Sequence, residues 1–154
     1  MDDDFYAGGD FYHHSRFYRA TFSGHLLPAD HTGMLEPANI EVRAPTDGAP
    51  QGITLFVDAP ATGARAAVWI SPHDAYAWHH ILDAANRWPQ DPIDAPMPAR
   101  TFRGPVDELD SAIATGPDWP EDTVYLGIGP ILLSRDTAAD LGLAILDAID
   151  CLEL

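Results

Sequence analysis

The sequence predicts an α+β fold, a mostly antiparallel sheet with two main helices on one face, and three features carry that prediction. Residues 53–58, Ile-Thr-Leu-Phe-Val-Asp, are the clearest strand in the chain, rich in β-branched and aromatic side chains between turn-forming flanks. Residues 66–87 pass from a short apolar run through Ser71 directly into an amphipathic helical stretch. Residues 131–150 repeat that passage through Ser134 and end on nearly the same words, Ile81-Leu82-Asp83-Ala84-Ala85 against Ile145-Leu146-Asp147-Ala148-Ile149. The echo suggests a duplicated ββα unit, which would set the two helices side by side under a pseudo-twofold.

Taken in order, the chain begins with an aromatic arm over residues 1–16, followed by one α+β domain over 17–154. Phe5-Tyr6, Phe11-Tyr12 and Phe17-Tyr18 recur every six residues. That period keeps the three Phe on one face of an extended chain and scatters them by steps of about 240° around a helix, so an extended arm is expected. Its bland reading is a tail running into an edge strand at 17–23; its functional reading is an aromatic surface for a partner, because Phe and Tyr dominate interface energetics. Residues 25–37 read as loop, with Asp30, Gly33 and two prolines breaking any period. Residues 39–44, Asn-Ile-Glu-Val-Arg-Ala, alternate as a strand, and 45–52 form a turn-rich connection. The strand at 53–58 turns back through Pro60 and Gly63 into 66–70 as an antiparallel hairpin.

The first helix has a well-marked start. Ser71 stands at the N-cap, Pro72 at the first helical position where its missing N–H costs nothing, and Asp74 in the first turn, where a carboxylate complements the helix dipole. Trp78, Ile81, Leu82, Ala85 and Trp88 form its apolar stripe, and Pro89 stops it. Seven prolines lie between Pro89 and Pro120, a density that argues against regular structure over most of that segment. The exception is 105–115, read as a short helix with Pro105 in the first turn, Asp107 and Glu108 near the positive end, Val106, Leu109 and Ile113 on one side and Gly116 as a stop. Two short strands follow within 123–133, and Ser134 caps the last helix. There Leu141, Ala144, Ile145, Ala148, Ile149 and Leu152 make one apolar stripe; Ala139, Gly142, Leu143 and Leu146 make a second, which would lie under the Pro-rich segment or against another copy of the chain.

Composition narrows the function classes. A chain of 154 residues with 46% apolar content buries a core as one domain without staples. Its 24 acidic and 8 basic residues give a net charge of -16, and every basic side chain is Arg. That charge opposes direct nucleic-acid binding, which draws its affinity from cations that displace counterions, and opposes docking on an anionic membrane. The Arg-only, Ala-, Pro- and Asp-rich composition points to a GC-rich bacterial or phage genome. Cys151 stands alone, so no intramolecular disulfide forms, and the acidic start Met1-Asp2-Asp3-Asp4 lacks the character of a secretory leader; a cytoplasmic protein is the expectation.

Candidate chemistry is sparse. His73, Tyr76, His80, Asp83 and Arg87 share one face of the first helix, and His79 and Asp83 have the i, i+4 spacing that two metal ligands on a helix can use. A solvated face with an Asp83–Arg87 ion pair explains the same residues. His13, His14, Asp10, His25 and His31 would need the fold to gather them. Ser71 and Ser134 are accounted for as caps, 127–130 reads as a turn, and Cys151 as a half-buried structural thiol. No catalytic residue, cofactor or metal is assigned.

The leading functional reading is therefore a non-enzymatic interaction or assembly protein. It would dock through Phe5, Tyr6, Phe11, Tyr12, Phe17 and Tyr18 of the arm and through Leu143 and Leu146 of the last helix, onto a protein partner or a second copy as a homodimer. Two alternatives come from other classes: a small metal-dependent enzyme using the histidines, and an acidic nucleic-acid mimic that occupies a basic DNA- or RNA-binding protein.

Overall fold

The computed structural model describes residues 18–27, 35–44, 52–101, 104–105, 112–117, 119, 122–128 and 130–152. The aromatic arm through Phe17, together with His13, His14 and His31, lies outside them. Four long strands open the fold: β1 (Tyr18–Leu26), β2 (Glu36–Ala44), β3 (Ile53–Ala59) and β4 (Ala64–Ile70). Helix α1 (Pro72–Arg87) follows, then the short strands β5 (Ile93–Ala95), β6 (Arg100–Thr101), β7 (Gly104–Pro105) and β8 (Ile113–Thr115). The strand pair β9 (Thr123–Leu126) and β10 (Ile131–Ser134) leads into the final helix α2 (Arg135–Cys151).

The strands form one sheet in the order β5-β8-β9-β10-β1-β2-β3-β4-β6-β7, with every neighbouring pair antiparallel. Strand alternation divides its two faces. Ile40, Val42, Ile53, Leu55, Val57 and Ile70 are buried in one core with Trp78 and Leu82 of α1 and Leu141 and Ile145 of α2. The predicted α+β class is thus what the chain adopts. Each helix leaves an antiparallel strand pair through a serine: Ser71 Oγ accepts from the Asp74 amide at 3.2 Å, and Ser134 Oγ from the Thr137 amide at 3.1 Å.

The helices lie side by side and antiparallel, since Ala85 meets Arg135 and His79 meets Gly142. Gly142 permits the close approach. A Cβ there would stand 3.2 Å from Leu82 Cβ, and the missing side chain leaves room for His79 Nδ1 to donate to the Gly142 carbonyl at 2.8 Å. The acceptor, a carbonyl, fixes the proton on Nδ1.

Several local expectations change. Residues 113–115 are a strand, not the end of a helix: Ile113 pairs with Ala95 and Leu126, and Ala114 with Asp94 and Tyr125. Backbone pairing on both sides, with Ala112 to Thr115 all buried, outweighs the helix-start signals upstream. The remainder of that expected helix, residues 106–111, lies outside the described residues. Over most of its described residues the Pro-rich segment lacks regular structure, as its proline density predicts, with only the short strands β5 to β8 within it; it also has a packing role, because the Pro98 carbonyl accepts from the buried Trp78 indole at 2.9 Å.

Strand β1 continues through His25 and Leu26, and β2 begins at Glu36 rather than Asn39, shortening the expected 25–37 loop. Pro37 is tolerated because it pairs only with β1, at His25; β3 first meets β2 at Asn39. Trp88 is no part of the apolar stripe. It is the C-cap of α1, 54% exposed, with the Arg87 guanidinium 5.7 Å from its ring centre. The second apolar side of α2 is split: Gly142 faces α1, Leu146 packs partly against the core, and Leu143 is 55% exposed.

Candidate functional site

On the face of β1–β4 turned away from the core, strand register lines up a polar surface. Arg19 stands opposite Arg43, Thr21 opposite Glu41, Glu41 opposite Phe56, and Asp58 opposite Arg65. These residues, with Asn39, line a shallow groove of about 400 Å³. At its centre the Glu41 carboxylate is only 7% exposed and is held from both sides by the Nε atoms of Arg19 and Arg43, while the Thr21 hydroxyl donates to it at 3.3 Å. The Arg43 guanidinium also lies 4.9 Å from the centre of the Phe56 ring, and Arg65 Nε lies 3.5 Å from Asp58.

The arrangement has a clear electrostatic logic. A carboxylate this buried is costly unless charge and hydrogen bonds compensate it, and two guanidinium groups with a hydroxyl do so. Arg19 keeps 60% and Arg43 40% of its side chain exposed, so Glu41 holds one edge of each guanidinium at Nε while part of their charge stays at the surface. Five arginines have described side chains, Arg19, Arg43, Arg65, Arg87 and Arg135, and three of them are on this one face. In a chain of net charge -16 this is a local reversal of sign. Chemically, such a fork suits carboxylates, which guanidinium groups bind in a planar, often bidentate manner.

The other residues singled out from the sequence scatter. His73, Tyr76, His80 and Arg87 are exposed on α1, and Arg87 pairs with Asp83 at 3.2 Å, as the solvated-face reading expects. His79 is turned toward α2 and does not join Asp83 in a ligand pair. Among the described residues no group of three or more His, Cys, Asp or Glu side chains is placed to hold a metal ion. Tyr18 is half-buried on the inner face of β1; burial, then the charges of Asp147 and Cys151, push its hydroxyl pKa up to about 12. No helix among the described residues is long and apolar enough to cross a membrane.

Sequence reasoning missed Arg19, Glu41, Arg43 and Arg65 as a group. The only local signal was a Glu in the middle of an apolar-alternating strand with an Arg two residues on, which puts both on one side of the sheet. Comparison with known proteins adds no name to the site: no family model, no curated protein and no solved structure matches the chain.

Proposed function

We propose that the protein is a non-enzymatic interaction module that seats an acidic segment of a partner protein on the open face of β1–β4. The observation that supports this is the Arg19–Glu41–Arg43 cluster, with Phe56 beside it and Arg65 on the same face. Guanidinium groups and an aromatic ring are side chains enriched where proteins bind one another. Charge sets the partner: the face attracts carboxylates, whereas the chain as a whole repels them. At physiological salt the screening length is about 8 Å, short enough for the patch to act apart from the rest of the molecule. In sequence the aromatic arm directly precedes β1, the strand that carries Arg19.

The test uses a fluorescent polyglutamate peptide carrying one tyrosine, titrated into full-length protein by fluorescence polarisation at about 0.15 M salt. Arg65→Glu is the diagnostic variant, because Arg65 is 71% exposed and outside the Glu41 cluster, so the fold does not depend on it. Binding weakened about tenfold by that change supports the reading. Equal binding by the variant removes the sheet face from it. Deleting residues 1–16 in the same assay measures what the arm contributes.

A second reading draws on α2, where Asp136, Asp140, Asp147 and Asp150 are exposed along one stripe. Spread over about 21 Å of helix, such a row resembles a strand of phosphates, as nucleic-acid mimicry requires. A basic partner captured through that stripe and displaced by duplex DNA would favour it over the sheet face.

A further inference from the structure

The exposed residues of α2 lie in one line: Asp136, Asp140, Leu143, Asp147 and Asp150, in alternating steps of four and three that keep to a single face of a helix. Leu143 stands at the middle of the line, 55% exposed, with a pair of carboxylates on either side. From Asp136 to Asp150 the helical rise gives a length of about 21 Å.

The open face of β1–β4 carries the complementary order. Arg19 and Arg43 stand side by side at one end; Phe56 is one strand and two residues along from Arg43, and Arg65 is one strand and two residues further. With strands about 4.8 Å apart and about 3.3 Å per residue, the diagonal from Arg19 to Arg65 is about 19 Å long and passes close to Phe56. Three guanidinium groups on this face outnumber its two carboxylates, Glu41 and Asp58, so the balance of charge there is positive. Cations, ring, cation thus answer carboxylates, leucine, carboxylates over nearly the same length. Within one molecule the two surfaces point apart, because α2 packs on the core side of β1, β2 and β3, so a chain cannot close its own stripe on its own face.

We infer that the acidic segment seated on the open sheet face is α2 of a second copy of this chain, with Leu143 against Phe56 and the flanking aspartates on Arg19, Arg43 and Arg65. The inference rests on the reading of that face as a seat for acidic segments and names its occupant. The contact is heterologous: each copy offers its stripe to one neighbour and its face to another, so association runs head to tail and does not stop at two. Pairs of arginine and aspartate that lose water in the contact are screened little by salt, whereas the repulsion between the two acidic bodies acts mostly over more than the screening length of about 8 Å and is damped.

Sedimentation velocity of full-length protein, from about 10 μM to 1 mM in about 0.15 M sodium chloride, tests this. Leu143→Asp spoils the stripe and leaves the face, and Arg65→Glu spoils the face and leaves the stripe; both side chains are exposed, so the fold does not depend on them. The expected result is growth beyond a dimer as the parent chain is concentrated, and self-association weakened at least about tenfold in each variant. An equimolar mixture of the variants should form pairs that grow no further, because the one intact contact joins the stripe of the Arg65→Glu chain to the face of the Leu143→Asp chain. A parent chain that stays monomeric, a parent dimer that grows no further, or a mixture that stays monomeric would each overturn the inference. Polyglutamate binding separates the two failures: a monomeric chain that still binds the peptide through Arg65 loses the second copy as occupant and keeps the acidic-partner reading, and a chain that does neither loses both.

Discussion

At the scale of single residues, two positions let opposing effects be weighed. Gly142→Ala improves helix propensity by about 1 kcal/mol and at the same time drives a methyl to 3.2 Å from the Cβ of fully buried Leu82. Overpacking costs typically 1–3 kcal/mol, and Leu82 Cβ is fixed to the α1 backbone, so a net loss of about 1 kcal/mol is expected from urea denaturation. A variant more stable than the parent would show that the two helices part easily. Tyr18 makes a pH prediction. Its folded pKa of about 12 lies above the ordinary value of 10.0, so the folded state holds the phenolic proton more tightly. The resulting stability is full below pH 10 and is lost as pH rises through 12, by an amount on the order of 1–2 kcal/mol given partial exposure. Denaturation midpoints at pH 9 and 11.5 should therefore fall less in Tyr18→Phe than in the parent chain.

At the scale of elements, the caps set where both helices begin. Ser134 Oγ bonds the Thr137 amide at 3.1 Å and its hydroxyl meets the Thr137 hydroxyl at 2.8 Å. Ser134→Ala is expected to cost about 1 kcal/mol and Ser134→Gly only a few tenths, a contrast that thermal unfolding resolves. An equal loss in both would place the serine's role in β10 rather than in the cap. The same scale shows what could be read from sequence. Ser71, Pro72 and Asp74 announce α1 because each acts within one turn of chain. Residues 113–115 carry helix signals and form β8, because their pairing partners lie at 93–95 and 125–126, beyond any local window. Trp88 matched the helical period, yet it falls past the last helical residue, where the period no longer dictates direction.

At the scale of the whole molecule, charge is the dominant fact. The exposed Arg65–Asp58 and Arg87–Asp83 pairs are weakened by salt but contribute little, and the Arg19–Glu41–Arg43 cluster, built on a carboxylate only 7% exposed, is screened less. Self-repulsion of a net charge of -16 is relieved by salt and involves every segment. Raising sodium chloride from about 20 to 300 mM should accordingly raise Tm. A Tm that falls would mean the ion pairs outweigh the net charge. The same balance bears on docking, since an acidic segment approaches this molecule against its overall field and with the local field of the open sheet face.

The chain's own order of residues was enough for the α+β class, the β3–β4 hairpin, both serine caps and the inward stripe of α2. Each of these rests on contacts between residues a few positions apart or on a periodicity that the backbone imposes. The pairing of β1 with β2 and with β10, the seat of α2 against His79, and the meeting of Arg19, Glu41 and Arg43 follow from register between distant segments. Glu41 alternates with its neighbours like any strand residue; it becomes the centre of a charged cluster only when Thr21 is set opposite it and Arg19 one strand away. Long-range register is settled by the burial of the whole inner face at once, because a slip of one residue would turn Ile40 and Val42 outward and Glu41 into the core.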